Sequence, residues 1–322
     1  MSLTISPSLC RQRLSAGFAS PRNLSFRAYP SRSSPAARTR RDPFKGPSMA
    51  PASTSPTRMN ASPTKEAPGR SAEKTPLASV GRVVVLGAGG GVGSAVVTQL
   101  AEQGVPVTAV VRDVSRAKDK LPSREGVQVS LGDVTDSASL TSLLQGAGAV
   151  IVATGPSSLK NPFGPYNVDY NGNVNVAKAA ANAGLKKIVM VSSIGAEDWL
   201  FFLNLFWGIL IWKRQGEKAI QSSGVDYTII RPGGLTNEGS QRAPKGGVVA
   251  GPANTYGRAP RIKPTGSILR SQVAALAIEA LTNPAASNVI LEAVTQEGEP
   301  ERTAAQVLED LAAGKLPPRG EE

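Results

Sequence analysis

The feature that most constrains the fold of this chain is a cluster of glycines between an apolar strand and an Ala/Val-rich helical segment. Residues 82–94 read RVVVLGAGGGVGS, so a run of β-branched residues stops at the glycines and a helical pattern follows. Glycines let a ligand approach the backbone, and the first N–H groups of a helix attract negative charge, so this order predicts a pyrophosphate cradle. The spacing is Gly87-x-x-Gly90-x-x-Gly93, and Val92 stands where the common G-x-G-x-x-G pattern has its third glycine. The candidate cradle residues are Gly87, Gly89, Gly90, Gly91, Val92 and Gly93.

The end of the second predicted strand indicates which nucleotide binds. This strand covers residues 106–111 and is followed by Arg112, 19 residues after Gly93, and by Asp113. An acidic residue in this place binds the ribose 2′-hydroxyl of NAD, whereas a guanidinium there pairs with the 2′-phosphate of NADP. We therefore predict NADP(H), with Arg116 and Lys118 adding positive charge. Two alternatives stay open: Asp113 turns inward and NAD(H) binds, or Arg112 is a solvated loop charge.

Positive charge is concentrated in the first quarter of the chain. Residues 1–76 hold thirteen Lys and Arg against three Asp and Glu, a net charge of +10, while the whole chain carries +12. The basic character therefore belongs to this leader and does not indicate nucleic-acid binding. The leader is rich in Ser, Pro, Ala and Arg and lacks hydrophobic periodicity, so we predict a disordered organellar transit peptide. Its serine and proline content favours the chloroplast over the mitochondrion.

Two residue types limit the chemistry available. Histidine is absent, and the single cysteine, Cys10, lies in the leader. Disulfides, zinc sites built on cysteine, thiol nucleophiles and a Ser-His-Asp triad are therefore excluded for the rest of the chain, and no metal site is predicted. Acid–base chemistry has to use Tyr, Lys, Asp, Glu, Ser or water.

Beyond the leader, apolar strands alternate with helices. The strands predicted after the first two are residues 127–131, 149–153, 187–191, 227–230 and 288–293. Such runs, buried between helices, predict an α/β fold with a doubly wound parallel sheet of Rossmann type, in which ligands bind at the carboxyl ends of the strands. The expected organisation is a disordered transit-type leader over 1–78, a single NAD(P)-binding domain over 79–296, and a C-terminal helix with an acidic tail over 297–322. Predicted helices include residues 168–183 and 199–222, and residues 235–266 are expected to be irregular.

Five short motifs together resemble one family. They are LGAGGGVG from Leu86, VRD from Val111, GDV from Gly132, VSSIG from Val191 and DYTIIRPGGL from Asp226. In combination they resemble the atypical short-chain dehydrogenase/reductases, in particular the NAD(P)-binding, NmrA-like branch. That branch includes plastid NADP-binding proteins related to a component of the chloroplast inner-envelope import machinery. The resemblance covers nearly all of residues 80–295 and implies an oxidoreductase that uses NADP(H).

The resemblance also implies roles for residues that follow the strands. Those expected around the adenine, the ribose and the nicotinamide are, in that order, Asp133 and Val134, then Ala153, Thr154 and Gly155, then Pro232 and Gly233. Asp133 is alternatively a helix cap, since Asp is common at a strand-to-helix junction. Ser193 falls at the position of the family's active-site serine, with Ser192 as the alternative.

Carbonyl-reducing members of the family use a Tyr-x-x-x-Lys pair, and this chain lacks the tyrosine. Lys213 is the lysine that the resemblance indicates, but Ile209 stands four residues before it. In that pair the lysine lowers the pKa of the tyrosine, so that the phenol can transfer a proton. Lys213 is still expected to bind the nicotinamide ribose, and Glu217, one turn on, to pair with it. Without the phenol, another group or water supplies the proton, hydride passes directly to a flavin- or quinone-like acceptor, or the protein binds nucleotide without turnover.

The segment Trp199–Trp212 contains all three tryptophans and three of the seven phenylalanines. As a helix it would be ~21 Å long, too short for the ~30 Å hydrocarbon core of a membrane. We predict a core helix that walls the nicotinamide end of the site. Because the segment is apolar around its whole circumference, an exposed remainder would instead be a docking patch for a membrane surface, a partner protein or a large planar substrate.

Three functions remain open at this point. The first is a plastid oxidoreductase that transfers hydride from NADPH to an apolar or planar acceptor, such as a quinone, a flavin or a tetrapyrrole. The second is a redox sensor or membrane-associated scaffold that binds NADP(H) without turnover. The third is a nucleotide-sugar epimerase, which the apolar segment and the absent tyrosine disfavour. If the protein is an enzyme, we expect its chemistry not to depend on the nearest tyrosines, Tyr166, Tyr170 and Tyr227.

Overall fold

A mostly parallel β-sheet with helices on both faces forms the framework of the protein. The computed structural model describes residues 76–117, 119–158, 160–256 and 266–315, so the predicted transit peptide with Cys10, Lys118 and the end of the acidic tail lie outside the described residues. The strands are β1 (Val83–Leu86), β2 (Val107–Val111), β3 (Val127–Leu131), β4 (Ala149–Val152), β5 (Lys187–Val191), β6 (Asp226–Pro232), β7 (Gly234–Thr236), β8 (Gly247–Pro252), β9 (Ser267–Leu269) and β10 (Val289–Gln296). The helices are α1 (Gly91–Glu102), α2 (Val114–Ala117), α3 (Ser137–Leu144), α4 (Asn173–Asn182), α5 (Ile209–Gln221), α6 (Arg270–Glu279) and α7 (Ala304–Ala312), with a π-helix over Tyr166–Gly172.

The strand order places a ligand-binding crevice where the sequence predicts one. Seven strands are parallel and follow the order β3-β2-β1-β4-β5-β6-β10. The chain runs outward from β1 through β2 to β3 and then returns to β4 on the other side of β1, so the carboxyl ends of β1 and β4 flank a topological switch point. This confirms the predicted doubly wound, Rossmann-type fold.

Burial on both faces explains the continuous apolar runs in the strands. Every residue of β1, β2, β4 and β5 is buried. Alternate side chains of β1 belong to two separate core layers: Val83 and Val85 pack with α1, α6 and α7, and Val84 and Leu86 pack with α3, α4 and α5. A strand whose two faces both meet helices cannot alternate apolar with polar residues, which is why periodicity of two is absent here.

Two parts of the domain differ from the expectation. The stretch 235–266, expected to be irregular, contains β8, which pairs antiparallel with β10, and most of β7, which pairs with β9. The C-terminal helix α7 is not an appendage, because its residues Val307 and Leu308 are buried in the same core layer as α6. The described residues all lie in one unit of the chain, Ala67–Glu322.

The predicted helix over 199–222 forms only in its second part, from Ile209. Trp207 and Gly208 both adopt positive φ angles, 61° and 68°, which a right-handed helix cannot include. Before them stands only a short 3-10 turn over Phe202–Leu205. Asn204 Oδ1 then accepts hydrogen bonds from the N–H groups of Leu210 and Ile211, so this side chain satisfies donors at the start of α5. No helix of the described residues has the length and apolar character needed to cross a membrane.

Candidate functional site

A cavity of about 650 Å³ opens at the carboxyl ends of β1 to β4. Its walls come from the loops that follow these four strands, together with Val168 of the π-helix. The volume lies within the usual range for a cofactor site. Nine residues that the sequence analysis assigned to cofactor binding line this cavity: Gly87, Gly89, Gly90, Arg112, Asp133, Val134, Ala153, Thr154 and Gly155.

Close packing of the glycine loop forms the floor of the cavity. Gly87 has a φ of +81°, and a Cβ on it would lie 2.6 Å from the carbonyl oxygen of Ala153. Gly93 brings α1 against the carbonyl of Gly87, where a side chain would collide, and Val92 is buried in the core. Gly91 and Gly93 have no side chain and the side chain of Val92 is buried, so these three residues can meet a ligand through their backbone. Their N–H groups belong to the first turn of α1, which has no intrahelical acceptors, and these donors suit an anionic group.

The loop after β2 favours a 2′-phosphate. Arg112 is exposed and lines the cavity, together with Arg116 and Lys120. Asp113 Oδ1 accepts hydrogen bonds from Ser115 Oγ (2.6 Å) and Arg116 N (3.2 Å), and Oδ2 lies 3.2 Å from Arg116 Nε. The hydrogen bond from Ser115, more than any other contact, holds the pKa of Asp113 below its usual value. These contacts disfavour the alternative in which Asp113 binds the ribose hydroxyl, because the carboxylate already accepts hydrogen bonds from the residues that follow it.

Asp133 stands in the cavity wall but does not cap a helix. Its Oδ1 accepts two hydrogen bonds of 2.9 Å from the N–H and the hydroxyl of Thr135. Helix α3 is capped by Asp136, whose Oδ1 accepts from the N–H groups of Ala138 and Ser139. The helix-cap alternative for Asp133 is wrong, because the helix begins three residues later than that alternative requires.

The residues predicted after β5 and β6 for the nicotinamide end lie at the carboxyl ends of these next strands and are not among the lining residues of the cavity. The structure separates the two serine candidates. Ser192 is buried, and its Oγ donates a 2.6 Å hydrogen bond to Glu217 Oε1. Ser193 is partly exposed, and its Oγ donates only to the carbonyl of Ile194, at 3.1 Å. Ser193 is therefore the more exposed of the two hydroxyls, and its role as the active-site serine stays a prediction. Pro232 is buried, and Gly233 packs against the carbonyl of Gly266.

Lys213 is held by a partner that the sequence analysis missed. Its Nζ lies 3.0 Å from Oδ1 of Asp169, a fully buried residue of the π-helix. Burial raises the pKa of Asp169, and the Lys213 ammonium opposes that rise. Oδ2 of Asp169 has no hydrogen-bond partner among the described residues. The expected pairing of Lys213 with Glu217 is wrong, because Glu217 faces the sheet rather than the π-helix.

Glu217 belongs to a buried ion-pair network under the site. Arg231, at the carboxyl end of β6, donates from Nε to Glu217 Oε1 (2.9 Å) and from Nη2 to Glu217 Oε2 (2.7 Å). Both residues are fully buried, and the same Nη2 also contacts Glu197 at 3.0 Å. Arg214 adds a second cation to Glu217 from its partly exposed position. The network fastens α5, and with it Lys213, to the end of β6.

An aromatic cluster joins the same two elements as the Lys213–Asp169 pair, the π-helix and α5. The rings of Tyr166 and Trp212 meet edge to face at 4.8 Å between centroids, and Tyr170 stands 5.9 Å from Trp212. The tertiary structure thus brings two tyrosines to the helix that carries Lys213, although neither occupies the Ile209 position. Before α5, the apolar segment is largely exposed rather than buried: Trp199 is 72% exposed, Leu205 85% and Trp207 51%. The prediction of a core helix is wrong for these residues, because the chain turns away from the helix at Gly208.

Two of these interactions have a signal in the sequence. Arg231 directly follows the apolar pair Ile229-Ile230 in a predicted buried strand, and a charge buried there needs an opposite charge. Asp169 precedes an Ala- and Val-rich helix and becomes fully buried. Nothing in the local sequence indicates which residues pair with Arg231 and Asp169. No cluster of three potential metal ligands occurs among the described residues.

Comparison with known proteins identifies the family. Residues 87–284 match the family model described as NAD(P)H-binding. The chain belongs to this family, as a member of the atypical short-chain dehydrogenase/reductases. The glycine cradle, the cavity and the cations after β2 fit an NAD(P)H dinucleotide, so the predicted cofactor class is confirmed.

The relatives among curated proteins include several chloroplast proteins. A chloroplastic protein of Arabidopsis thaliana is 38% identical over 233 residues, which is 69% of this chain and 79% of that protein. TIC 62 of Oryza sativa, also chloroplastic, is 34% identical over 48% of this chain, but this chain spans only 35% of TIC 62. Sanguinarine reductase of Eschscholzia californica is 31% identical over 48% of the chain and 70% of its own length. The chloroplastic relatives confirm the plastid assignment made from the leader.

Solved structures show the same fold. A putative NAD-dependent epimerase/dehydratase of Bacillus halodurans is 26% identical, covers 71% of this chain and 99% of its own, and superposes with a TM-score of 0.59. The anaerobillin reductase ChuY of Escherichia coli O157:H7 is 25% identical and covers 68% of this chain and 99% of its own, with a TM-score of 0.53. The solved structures that this chain resembles therefore include both a reductase and a putative epimerase/dehydratase.

Proposed function

We propose that the protein is a plastid reductase that uses NADPH to transfer hydride to an apolar, planar acceptor. The observation that carries this proposal is the position of Lys213. Its ammonium is fixed by a buried carboxylate, Asp169, and the aromatic cluster of Tyr166, Tyr170 and Trp212 joins the same two elements, the π-helix and α5. Aromatic rings offer flat apolar faces on which a planar molecule can stack.

Different residues of the site select the cofactor and position it. NADPH, when bound, supplies the hydride. Arg112, with Arg116 and Lys120 nearby, provides the positive charge that a 2′-phosphate requires and a 2′-hydroxyl does not. In this proposal Lys213 holds the nicotinamide ribose, and its ion pair with Asp169, which limits its movement, supports that role.

The missing phenol narrows the range of acceptors. Ile209 cannot transfer a proton, so the site offers no acid one helical turn before Lys213. A quinone-, flavin- or tetrapyrrole-like acceptor takes hydride without a strong protein acid, and its proton can come from water. The relatives named sanguinarine reductase and anaerobillin reductase support reduction as the reaction class.

Oxidation of NADPH by a panel of acceptors tests this function. The panel contains a quinone, free flavin, a linear tetrapyrrole, simple aldehydes and a nucleotide sugar, with absorbance of NADPH as the readout. We expect turnover with at least one planar acceptor and little with the aldehydes. Trp212→Ala should raise the KM for that acceptor, whereas Trp199→Ala, which removes an exposed ring outside the cluster, should not. Epimerisation of the nucleotide sugar, or turnover of aldehydes alone, contradicts the proposal.

A second candidate function rests on the exposed apolar segment. Leu200, Leu205 and Trp207, three large apolar residues in one short segment, are 71%, 85% and 51% exposed, and exposed apolar patches often mark interaction sites. This arrangement favours a protein that binds NADP(H) and docks peripherally on a membrane without turnover. Co-sedimentation with vesicles of plastid galactolipids, lost in Leu205→Ser/Trp207→Ser, together with no acceptor in the panel, would favour this function over the first.

A further inference from the structure

Arg270 reaches the glycine cradle from a distant part of the chain. Strands β7 and β9 pair in parallel, with Thr236 opposite Leu269. The residues that follow these two positions, Asn237 and Arg270, are therefore neighbours. Nη1 of Arg270 donates a 2.8 Å hydrogen bond to Oδ1 of Asn237, which fixes one side of the guanidinium.

The side chain of Arg270 lies against the first residue of α1. A Cβ on Gly91 would be 2.5 Å from Cδ and 2.6 Å from Nε of Arg270. Gly91 directly follows Gly90, which lines the cofactor cavity. The absence of a side chain at position 91 thus lets the Arg270 side chain lie against the first residue of α1.

The charge of Arg270 is unfavourable where it stands unless an anion joins it. The N-terminus of a helix carries a partial positive charge, so a cation beside it is repelled. Within the described ranges Arg270 forms no ion pair, and the neighbouring Glu238 carboxylate is engaged by the hydroxyl of Ser271. A guanidinium has five N–H donors, and Asn237 accepts from one. Two sources of positive potential and several open donors therefore converge on the start of α1.

We infer that Arg270 is a cofactor-binding residue that holds the pyrophosphate of the dinucleotide at the start of α1. A pyrophosphate there places negative charge next to both the helix terminus and the guanidinium, and so removes their mutual repulsion. Asn237 acts as the positioning residue for the guanidinium.

Arg270 and Arg112 then have separable effects on nucleotide binding. The pyrophosphate is common to NADP⁺ and NAD⁺, so Arg270 contributes to the affinity for both. Arg112 lines the cavity after β2, where we expect the 2′-phosphate, and so contributes to the affinity for NADP⁺ alone. Adenosine 2′-monophosphate carries the 2′-phosphate but no pyrophosphate, so it depends on Arg112 and not on Arg270.

Calorimetric titration of the full chain with NADP⁺, NAD⁺ and adenosine 2′-monophosphate tests the inference. Arg270→Ala should weaken NADP⁺ and NAD⁺ by the same factor, about ten- to hundredfold, the range for hydrogen bonds to a charged group, and leave adenosine 2′-monophosphate unchanged. Arg112→Ala should weaken NADP⁺ and adenosine 2′-monophosphate but not NAD⁺. Lys186→Ala is the matched control, because it removes an exposed cation just before β5, at the amino-terminal ends of the strands and away from the cavity.

Two further variants separate binding from folding. Arg270→Lys keeps the charge without the forked donors, so its loss of NADP⁺ affinity should be smaller than that of Arg270→Ala. Gly91→Ala should weaken NADP⁺ less in the Arg270→Ala background than in the unaltered protein, since the contact it disturbs is then gone. Unchanged NADP⁺ affinity in Arg270→Ala would overturn the inference. Equal weakening of adenosine 2′-monophosphate would overturn it too, because the effect would then not be on the pyrophosphate.

Discussion

Breaking the buried ion pair of Glu217 and Arg231 should lower the free energy of unfolding more than breaking any other polar contact described above. Glu217→Ala removes both hydrogen bonds of 2.7 and 2.9 Å and leaves the guanidinium fully buried. Only Glu197 at 3.0 Å and Glu292 at 3.9 Å then remain as its carboxylate partners among the described residues. Removing one member of a buried ion pair costs ~3–5 kcal/mol, a large part of the ~5–15 kcal/mol that stabilises a typical domain.

Urea unfolding followed by circular dichroism measures this loss. Arg214→Ala is the control, because it removes a partly exposed partner of the same carboxylate and should cost ~1 kcal/mol or less. Replacing the pair with apolar side chains, as Glu217→Leu/Arg231→Met, should cost less than Glu217→Ala alone, since the buried guanidinium that Glu217→Ala leaves without its main partner is then absent. A cost below ~1 kcal/mol for Glu217→Ala, or single-variant costs that simply add in the double variant, would refute the reasoning.

Three further predictions concern the leader, the tyrosines and pH. A fluorescent fusion of residues 1–76 should accumulate in plastids, and deletion of that segment should leave the urea midpoint unchanged; a mitochondrial signal would contradict the assignment. Tyr166→Phe and Tyr170→Phe should leave turnover of a planar acceptor within about tenfold of the unaltered protein, an effect below that of a general acid; efficient aldehyde reduction abolished by either change would show that the π-helix supplies the acid. Burial raises the pKa of Asp169 above its usual 3.8, so its contribution to stability is complete below that value and declines as pH rises through the raised pKa. Asp169→Asn should therefore gain in urea midpoint relative to the unaltered protein as pH rises from 3.8, and a difference independent of pH would contradict this.

Local patterns in the sequence were sufficient for the core of the fold and for the adenine half of the site. Apolar runs and the turns that end them mark the seven parallel strands, and the glycines mark the start of α1. The residues after β1 to β4 line one cavity because parallel strands end at the same edge. Arg112 could be assigned on this basis, since its place follows from counting along two neighbouring strands.

Only the tertiary structure determined what lies at the nicotinamide end. Asp169 and Lys213 are 44 residues apart, and Arg270 and Gly91 come from opposite ends of the domain. No local periodicity encodes such pairs, because they depend on which face of each helix turns towards the sheet. The break at Trp207 and Gly208 is equally non-local: apolar letters continue through it, and the helix begins where the Asn204 side chain caps its donors. Local sequence patterns therefore determine the helices, the strands and the edge of the sheet at which the ligand binds. Packing between distant segments determines which residues pair with the buried charges.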